Sequence, residues 1–265
     1  MRPLAVVGNL SRDLVDGSPP RAGGAPFHAA RALRVLGRPA LVGAKCADSD
    51  RDSLLTPLVR LGLPVLWRGG SSTAAFSFRY EGDRRVMVVE ALGDPWGPAD
   101  LYGLERADWV HVGALARSDF PAETLAELGR DRRVSFDGQG LVRPERTGPL
   151  ELDAAYDPEV LRHVSILKLA EEEARTLVGE PDESALRSLG VPEVVVTLGS
   201  EGSLVLADGK LEKVPAQAAG EVDPTGAGDA FSAVYLASRS SGHAPVAAAR
   251  RATALVAGLL ARRIP

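Results

Sequence analysis

Near its C-terminus the chain reads DPTGAGDAF, residues 223–231. The glycine turn Gly226-Ala227-Gly228 comes directly before Asp229, and apolar residues then follow at helical spacing. We predict a loop that enters a helix, whose first backbone N–H groups have no partner within the helix. Such groups attract an anion, and glycine allows the anion to approach the backbone closely. The sequence therefore predicts an anion site with a carboxylate beside it.

This pairing of an anion site with a carboxylate suits the transfer of a phosphoryl group to a hydroxyl. Asp229 would accept the hydroxyl proton, and the N–H groups of Gly226, Ala227 and Gly228 would stabilise the charge on the transferred group. A plainer interpretation is that aspartate is common in the first turn of any helix, because the helix dipole favours it. The tetrapeptide alone does not decide between these two interpretations.

Further segments in a fixed order give the tetrapeptide a context. They read VVGNLSRD at 6–13, GGAPFHAARALRVLG at 23–37, LKLAEEEA at 167–174 and VVVTLGSEG at 194–202. Together with GAGD, they resemble the signatures of the ribokinase-like (PfkB) carbohydrate kinases over essentially the whole chain. The resemblance implies an α/β fold: a three-layer sandwich with a mostly parallel central sheet flanked by helices, and a small, reduced β lid. It also implies ATP as the phosphoryl donor and Mg²⁺ as the metal.

Bulk properties are those of an ordinary soluble globular protein of 265 residues, 45% hydrophobic and 25% charged. The net charge of −4 argues against a nucleic-acid partner, which would favour a basic excess. The single cysteine, Cys46, excludes an intramolecular disulfide framework. We expect no signal peptide and no membrane partner, since no apolar run approaches the ~20 residues of a membrane span. The expectation is one cytoplasmic domain, residues 1–265.

Short apolar runs alternate with helical patterns, which predicts a largely parallel sheet with helices on both faces. The predicted strands are 4–8, 40–43, 109–112, 134–137, 165–168 and 194–198, and the clearest helices are 26–36 and 246–260. Two hairpins are predicted as well, 75–80 with 85–89 and 204–206 with 211–214. The resemblance implies that the first hairpin belongs to a lid built from about 13–22 and 73–90. The interval 13–22 is short and rich in Gly and Pro, so we expect a reduced lid.

Four residues near the first strand are candidates for substrate binding. Asp13 stands at the family's sugar-binding aspartate, where a carboxylate can accept hydrogen bonds from two hydroxyls; a structural turn is the alternative. Gly23 and Gly24 either let the backbone approach the substrate or form a turn before a helix. His28 stands where the family usually has Asn, so the resemblance leaves the identity of the acceptor open. A purely structural histidine is an equal alternative.

The stretch DGQGLVR, residues 137–143, follows a predicted strand and so reaches the edge where ligands of α/β sheets bind. It resembles the D-x-Q-G-x-x-R of some inositol-type kinases of the same family. Gln139 could hydrogen-bond a polyol, and Arg143 could contact an anionic group. The alternative is an ordinary polar loop at the end of a strand.

For the nucleotide, the resemblance implies Thr197, Gly199 and Gly202 around the phosphates and ribose. A strand end followed by a simple turn is the alternative. Thr225 could contact a phosphate through its hydroxyl, or it could cap the following helix.

For the metal, the family's N-x-x-E aligns with residues 170–173. Glu173 keeps the acidic position, but Ala170 replaces the Asn and cannot bind water or metal. Glu173 could instead be a carboxylate of the first helical turn. Lys168, at the end of the preceding strand, could approach a nucleotide phosphate as a point charge, but we expect it to be exposed to solvent.

The leading hypothesis is an ATP-dependent kinase of a sugar or cyclitol. The same family includes nucleoside kinases, but an aromatic content of 5% leaves few side chains to stack a second base. A non-catalytic ligand-binding relative is a further alternative, against which the intact GAGD argues. A dinucleotide-dependent dehydrogenase is disfavoured, because its G-x-G-x-x-G should follow the first strand, where this chain has GNLSRD. The expected partners are a small polyol and ATP, and a homodimer is left open.

Overall fold

The computed structural model describes residues 3–15, 19–81, 84–216 and 225–261. Its strands are β1 Leu4–Asn9, β2 Ser11–Val15, β3 Arg21–Gly23, β4 Leu41–Ala47, β5 Val65–Gly70, β6 Ala74–Glu81, β7 Arg84–Ala91, β8 Trp109–Gly113, β9 Arg133–Asp137, β10 Gly148–Pro149, β11 Ile166–Ala170, β12 Glu193–Thr197, β13 Ser203–Ala207 and β14 Lys210–Val214. Its α-helices are α1 Ala25–Val35, α2 Arg51–Val59, α3 Ala122–Gly129, α4 Gln139–Val142, α5 Glu171–Val178, α6 Glu183–Arg187, α7 Ala227–Ser240 and α8 Pro245–Leu260.

The central sheet has the strand order β14-β13-β12-β11-β9-β8-β1-β4-β5. Strands β12 to β5 of this order pair in parallel, and β13 and β14 add an antiparallel edge. Every residue of β1 is buried, as expected for a parallel strand covered on both faces. One hydrophobic cluster joins α3 to α6 to the sheet, and another joins α1, α7 and α8 to it. The predicted three-layer α/β sandwich is therefore confirmed.

The six predicted strands correspond to β1, β4, β8, β9, β11 and β12, and both predicted hairpins are present. The two predicted helices are α1 and α8. Strand β4 extends to Ala47, beyond the predicted range 40–43, so that Cys46 lies buried within the strand. Strand β5 was not predicted, because its sequence VLWRGG lacks a clear apolar pattern.

A second sheet has the order β10-β7-β6-β2-β3, and its residues border a cavity together with the carboxyl end of β11. Only Leu10 separates β1 from β2, so the chain passes from the central sheet into the second sheet within one residue. The short interval that follows Asp13 still supplies β3, and β10 joins from a distant loop that the sequence analysis did not include. We call this second sheet the lid.

No helix in the described parts of the chain combines the length and the apolar character that crossing a bilayer requires.

Glu193, at the start of β12, forms a buried polar cluster with Tyr235 and Arg239 of α7. Its carboxylate accepts a hydrogen bond from the Tyr235 hydroxyl at 2.5 Å and from Arg239 Nη2 at 2.8 Å. We expect Glu193→Ala to lower the free energy of unfolding by about 3–5 kcal/mol, because the Arg239 guanidinium would lose its carboxylate partner. Urea unfolding followed by circular dichroism would measure the change.

The matched control is Glu127→Ala, which breaks the exposed ion pair between Glu127 of α3 and Arg130, the residue that follows this helix. Exposed pairs are worth only about 0.2–1 kcal/mol, so this variant should unfold almost as the parent does. Equal destabilisation by both variants would contradict a special contribution from the buried cluster.

Candidate active site

A cavity of about 250 Å³ lies between the lid and the ends of the parallel strands. In open α/β sheets, ligands bind outside these carboxyl ends. Most of the predicted site residues border this cavity: Asp13, Gly24, His28, Gln139, Arg143, Glu173, Thr225, Gly226, Gly228 and Asp229. Five predicted residues do not border it: Gly23, Ala227, Thr197, Gly199 and Gly202.

The predicted turn and helix are present from Thr225 onward, whereas Asp223 and Pro224 of the motif lie outside the described residues. Gly226 adopts a left-handed conformation with φ of 77° and caps α7. A Cβ at this position would come 2.3 Å from Nδ1 of His28. Glycine is therefore required both by the positive φ and by the close approach of the His28 ring. His28 therefore packs on the turn as well as bordering the cavity.

Asp229 lies in the first turn of α7 and keeps partial access to the cavity. Burial raises the pKa of its carboxyl to about 7, and the nearby Asp137 carboxylate adds to this effect. Lys168 and Arg143 oppose the rise in the pKa, while Asp13 contributes to it. A carboxylate with a pKa near neutrality is well matched to accept a proton at physiological pH.

Asp13 is held in place by the lid strands around it. Ser11 Oγ donates a hydrogen bond to Asp13 Oδ1 at 2.8 Å. A Cβ at Gly23 would come 2.3 Å from Asp13 Oδ2, so this glycine makes room for the carboxylate and does not itself border the cavity. Gly24 has φ of 90° and passes close to the carbonyl oxygen of Asn9, where a Cβ would come within 2.4 Å.

The loop after β9 faces the lid across the cavity. The backbone N–H of Gln139 donates to Asp137 Oδ1 at 3.2 Å, which fixes the start of α4. The Arg143 guanidinium carbon lies 5.9 Å from the centre of the Phe76 ring on the lid, within the range of a cation–π contact. The loop thus brings an amide and a guanidinium to the cavity that Asp229 borders.

Lys168 is buried, and the expectation of solvent exposure was wrong. Its Nζ lies 3.3 Å from Asp137 Oδ2, on the neighbouring parallel strand. Burial alone would lower the pKa of the ammonium, but the carboxylates of Asp137, Glu173 and Asp229 outweigh burial and raise it. Lys168 therefore remains charged at the floor of the cavity.

Glu173 caps its own helix: Oε2 accepts a hydrogen bond from the Ala170 N–H at 2.7 Å. Burial raises the pKa of this carboxyl, and Lys168 opposes the rise. Among the described residues, no group of three or more His, Cys, Asp or Glu side chains is placed to hold a metal ion. Mg²⁺ commonly binds through one or two carboxylates together with substrate phosphates. Glu173 is a carboxylate on the border of the cavity, so the described lining is compatible with a metal of this kind.

The three residues expected around the nucleotide lie at the end of β12, away from the cavity lining. Thr197 Oγ1 donates to the carbonyl oxygen of Leu169 at 3.2 Å. A Cβ at Gly202 would come 2.0 Å from the carbonyl oxygen of Val214, so this glycine allows close packing of β14. Gly199 has φ of 54° and open space where a Cβ would project.

Sequence reasoning missed the apolar side of the cavity, which consists of Phe76, Phe78, Met87 and Leu115. Phe76 and Phe78 are two residues apart on β6 and so share a face, a spacing that was visible in the predicted hairpin. The burial of Lys168 beside the cavity was missed because its partner Asp137 is 31 residues away in the chain.

A family model described as pfkB family carbohydrate kinase matches residues 19–262. A ribokinase of Bacillus subtilis strain 168 is 29% identical, over 91% of this chain and 87% of the relative. An inositol 3-kinase of Oryza sativa subsp. japonica is 35% identical, over 65% of this chain and 45% of that protein. A solved pyrophosphate-dependent kinase in the ribokinase family, complexed with a pyrophosphate analog and myo-inositol, superimposes with a TM-score of 0.85. It is 26% identical, and the match covers 99% of this chain and 96% of that chain.

Proposed function

Since the chain belongs to the pfkB family of carbohydrate kinases, we propose that its cavity holds a sugar or cyclitol and that Asp229 accepts the proton of the hydroxyl that is phosphorylated. The observation that carries this proposal is that Asp229 borders the same cavity as Asp13 and Arg143, directly after the glycine turn that opens α7.

In the proposed step the acceptor O–H bond breaks and its proton passes to the Asp229 carboxylate. The freed oxygen attacks the γ-phosphorus of ATP and forms a new O–P bond. The bond from that phosphorus to the bridging oxygen breaks, and ADP leaves with the electron pair. The N–H groups of Gly226, Ala227 and Gly228 stabilise the charge on the transferred group.

The acceptor would be held by polar groups on one side and covered by the lid on the other. Asp13, His28 and Gln139 border the cavity and can exchange hydrogen bonds with neighbouring hydroxyls of a polyol. The phenylalanines of β6 would exclude water from the reacting groups. A cyclitol is favoured within this class by the similarity to an inositol 3-kinase and to a kinase complexed with myo-inositol.

For the donor we propose ATP, with Gly199, Gly202 and Thr197 near its phosphates and ribose and Thr225 near the transferred phosphate. Thr225 borders the cavity, and Gly199 has open space beside it. Bound Mg²⁺ would supply positive charge to the donor phosphates, and Glu173 is the carboxylate that would face it.

Inorganic pyrophosphate is a second candidate donor. The structure that superimposes with a TM-score of 0.85 belongs to a kinase described as pyrophosphate-dependent. In this chain the Thr197 hydroxyl donates to Leu169, and Gly202 is packed against β14. A donor without a nucleoside would need neither residue, and its leaving group would be inorganic phosphate.

Incubation of the purified chain with Mg²⁺ and either ATP or pyrophosphate would test both candidates. Each donor is paired in turn with myo-inositol, ribose, fructose and adenosine, and phosphorylated products are detected by ³¹P NMR. Transfer to a polyol supports the proposal and identifies the donor, whereas transfer to adenosine alone would make the chain a nucleoside kinase. The absence of product in every pairing would overturn the proposal in favour of a ligand-binding relative.

The pH dependence of the reaction should report the ionisation of Asp229. Only the ionised carboxylate can accept a proton, so kcat/KM should rise with pH up to about 7 and then level off. The groups that face this carboxyl are Asp137, Asp13, Lys168 and Arg143. Because Asp137 raises the pKa of Asp229, Asp137→Asn should move the rising limb to lower pH. Rates measured from about pH 5 to about pH 9 would check both results, and a flat profile would contradict them.

A further inference from the structure

The ammonium of Lys168 lies directly against the glycine turn that opens α7. A Cβ at Gly228 would come 2.9 Å from Lys168 Nζ. The side chain is only 5% exposed, yet it borders the cavity. A buried cation thus meets the same turn whose backbone N–H groups are positioned to bind an anion.

The hydrogen bond to Asp137 uses only part of the donor capacity of the Lys168 ammonium. An ammonium has three N–H donors, and the Asp137 carboxylate takes one of them at 3.3 Å. The other oxygen of Asp137 already accepts from the backbone of Gln139. The carboxylates of Glu173 and Asp229 act on Lys168 through their charge. Among the described residues Lys168 Nζ has no second hydrogen-bond acceptor, so that further donors remain for a ligand in the cavity that it borders.

Among the described residues, Lys168 is also the positive side chain that lies against this turn. Ala170 carries no metal-binding group, and Glu173 uses one oxygen to cap its own helix. The Arg143 guanidinium is engaged with the lid ring of Phe76. The buried cation at the turn is therefore Lys168.

We infer that Lys168 is a catalytic residue that contacts the transferred phosphoryl group, its ammonium completing the anion site formed by the backbone of the α7 turn. The inference rests on the proposed function, since it assigns a residue to the same transfer step. In that step Lys168 keeps its proton and forms no bond. It offsets the negative charge of the donor oxygens while Asp229 takes the proton of the acceptor.

Titration calorimetry with inorganic pyrophosphate, in the presence of Mg²⁺ and without acceptor, tests the contact without catalysis. We expect Lys168→Met to weaken pyrophosphate binding at least about tenfold and to lower kcat by about 10²–10³-fold, as the loss of one anion-stabilising donor does. The matched control is Lys210→Met, which removes the same charge from the exposed end of β14 and should change neither quantity. Unchanged pyrophosphate affinity in Lys168→Met would overturn the inference.

A second variant separates this role from a structural one. If Lys168 only neutralised Asp137, the double variant Lys168→Met/Asp137→Asn would regain pyrophosphate affinity and turnover, and the inference would be wrong. If Lys168 contacts phosphate, the double variant still binds pyrophosphate weakly, while its thermal unfolding resembles that of the parent. The double variant also serves if Lys168→Met alone fails to fold, because it leaves no unpaired Asp137 charge. If the parent binds pyrophosphate but phosphorylates no acceptor, the proposed function fails while the contact of Lys168 can still be measured.

Discussion

Replacing Asp229 by asparagine is expected to lower kcat by about 10²–10⁴-fold, the range that a positioned general base contributes. The amide has almost the same shape as the carboxylate but cannot take the proton of the acceptor hydroxyl. Binding of the acceptor should persist, because Asp13 and Gln139 also border the cavity. Stability should hold or increase, since burial and the Asp137 charge both disfavour the ionised Asp229. Steady-state rates and calorimetry with the acceptor identified for the parent would measure these effects.

Asp182→Asn is the matched control for this substitution. Asp182 caps α6 by accepting from the Ala185 N–H at 2.8 Å, and asparagine is an equally good cap. It should leave both turnover and stability unchanged. If Asp229→Asn retained the turnover of the parent, Asp229 would be no more than a favourable residue of the first helical turn.

Most of the parallel sheet could be predicted from the sequence, because every parallel strand except β5 carries its own signal. A strand covered on both faces is a continuous apolar run, as in β1 and β12, and it can be recognised without its neighbours. The lid strands outside the predicted hairpin of β6 and β7 have no such local signal. Strand β2 pairs in parallel with β6, so that Asp13 lies opposite Phe76 across a long stretch of sequence. Only the tertiary structure shows which partner a short, polar strand will find.

The candidate site was predictable to the extent that its residues belong to contiguous motifs. The GAGD string and the DGQGLVR loop both lead to the cavity, and Asp229, Gln139 and Arg143 border it. The glycines were harder to interpret, because a sequence does not tell whether a missing Cβ admits a ligand or a neighbouring group. Gly23 admits the Asp13 carboxylate, and Gly202 admits the backbone of β14.

The burial of Lys168 could not be predicted, for a related reason. Its environment consists of carboxylates from three other segments, Asp137 on β9, Glu173 on α5 and Asp229 on α7. An isolated lysine at a strand end is usually exposed, since burial of an unpaired ammonium is costly. Here the carboxylates compensate for that cost, and the sequence gives no sign that they converge.

Gly228→Ala should separate activity from stability at the same turn. Gly228 is within α7 and does not have a positive φ, so alanine can adopt its backbone conformation. Alanine favours a helix by about 0.5–1 kcal/mol over glycine, and the free energy of unfolding should therefore stay equal or rise. The new methyl group, however, would come 2.9 Å from Lys168 Nζ and displace the ammonium from the turn. A displacement of about 1 Å can cost ~10²-fold in rate, and we expect a loss of kcat of that order.

Gly226→Ala provides the contrast for this prediction, because its position has φ of 77° and its Cβ would come 2.3 Å from the His28 ring. That variant should lose stability together with activity, since a left-handed backbone disfavours alanine and the ring has to move. Thermal unfolding and steady-state rates measured on both variants distinguish the two cases. A stable Gly228→Ala protein with the turnover of the parent would mean that the phosphoryl group does not pass the α7 turn. The anion site and the contact of Lys168 would then both have to be placed elsewhere in the cavity.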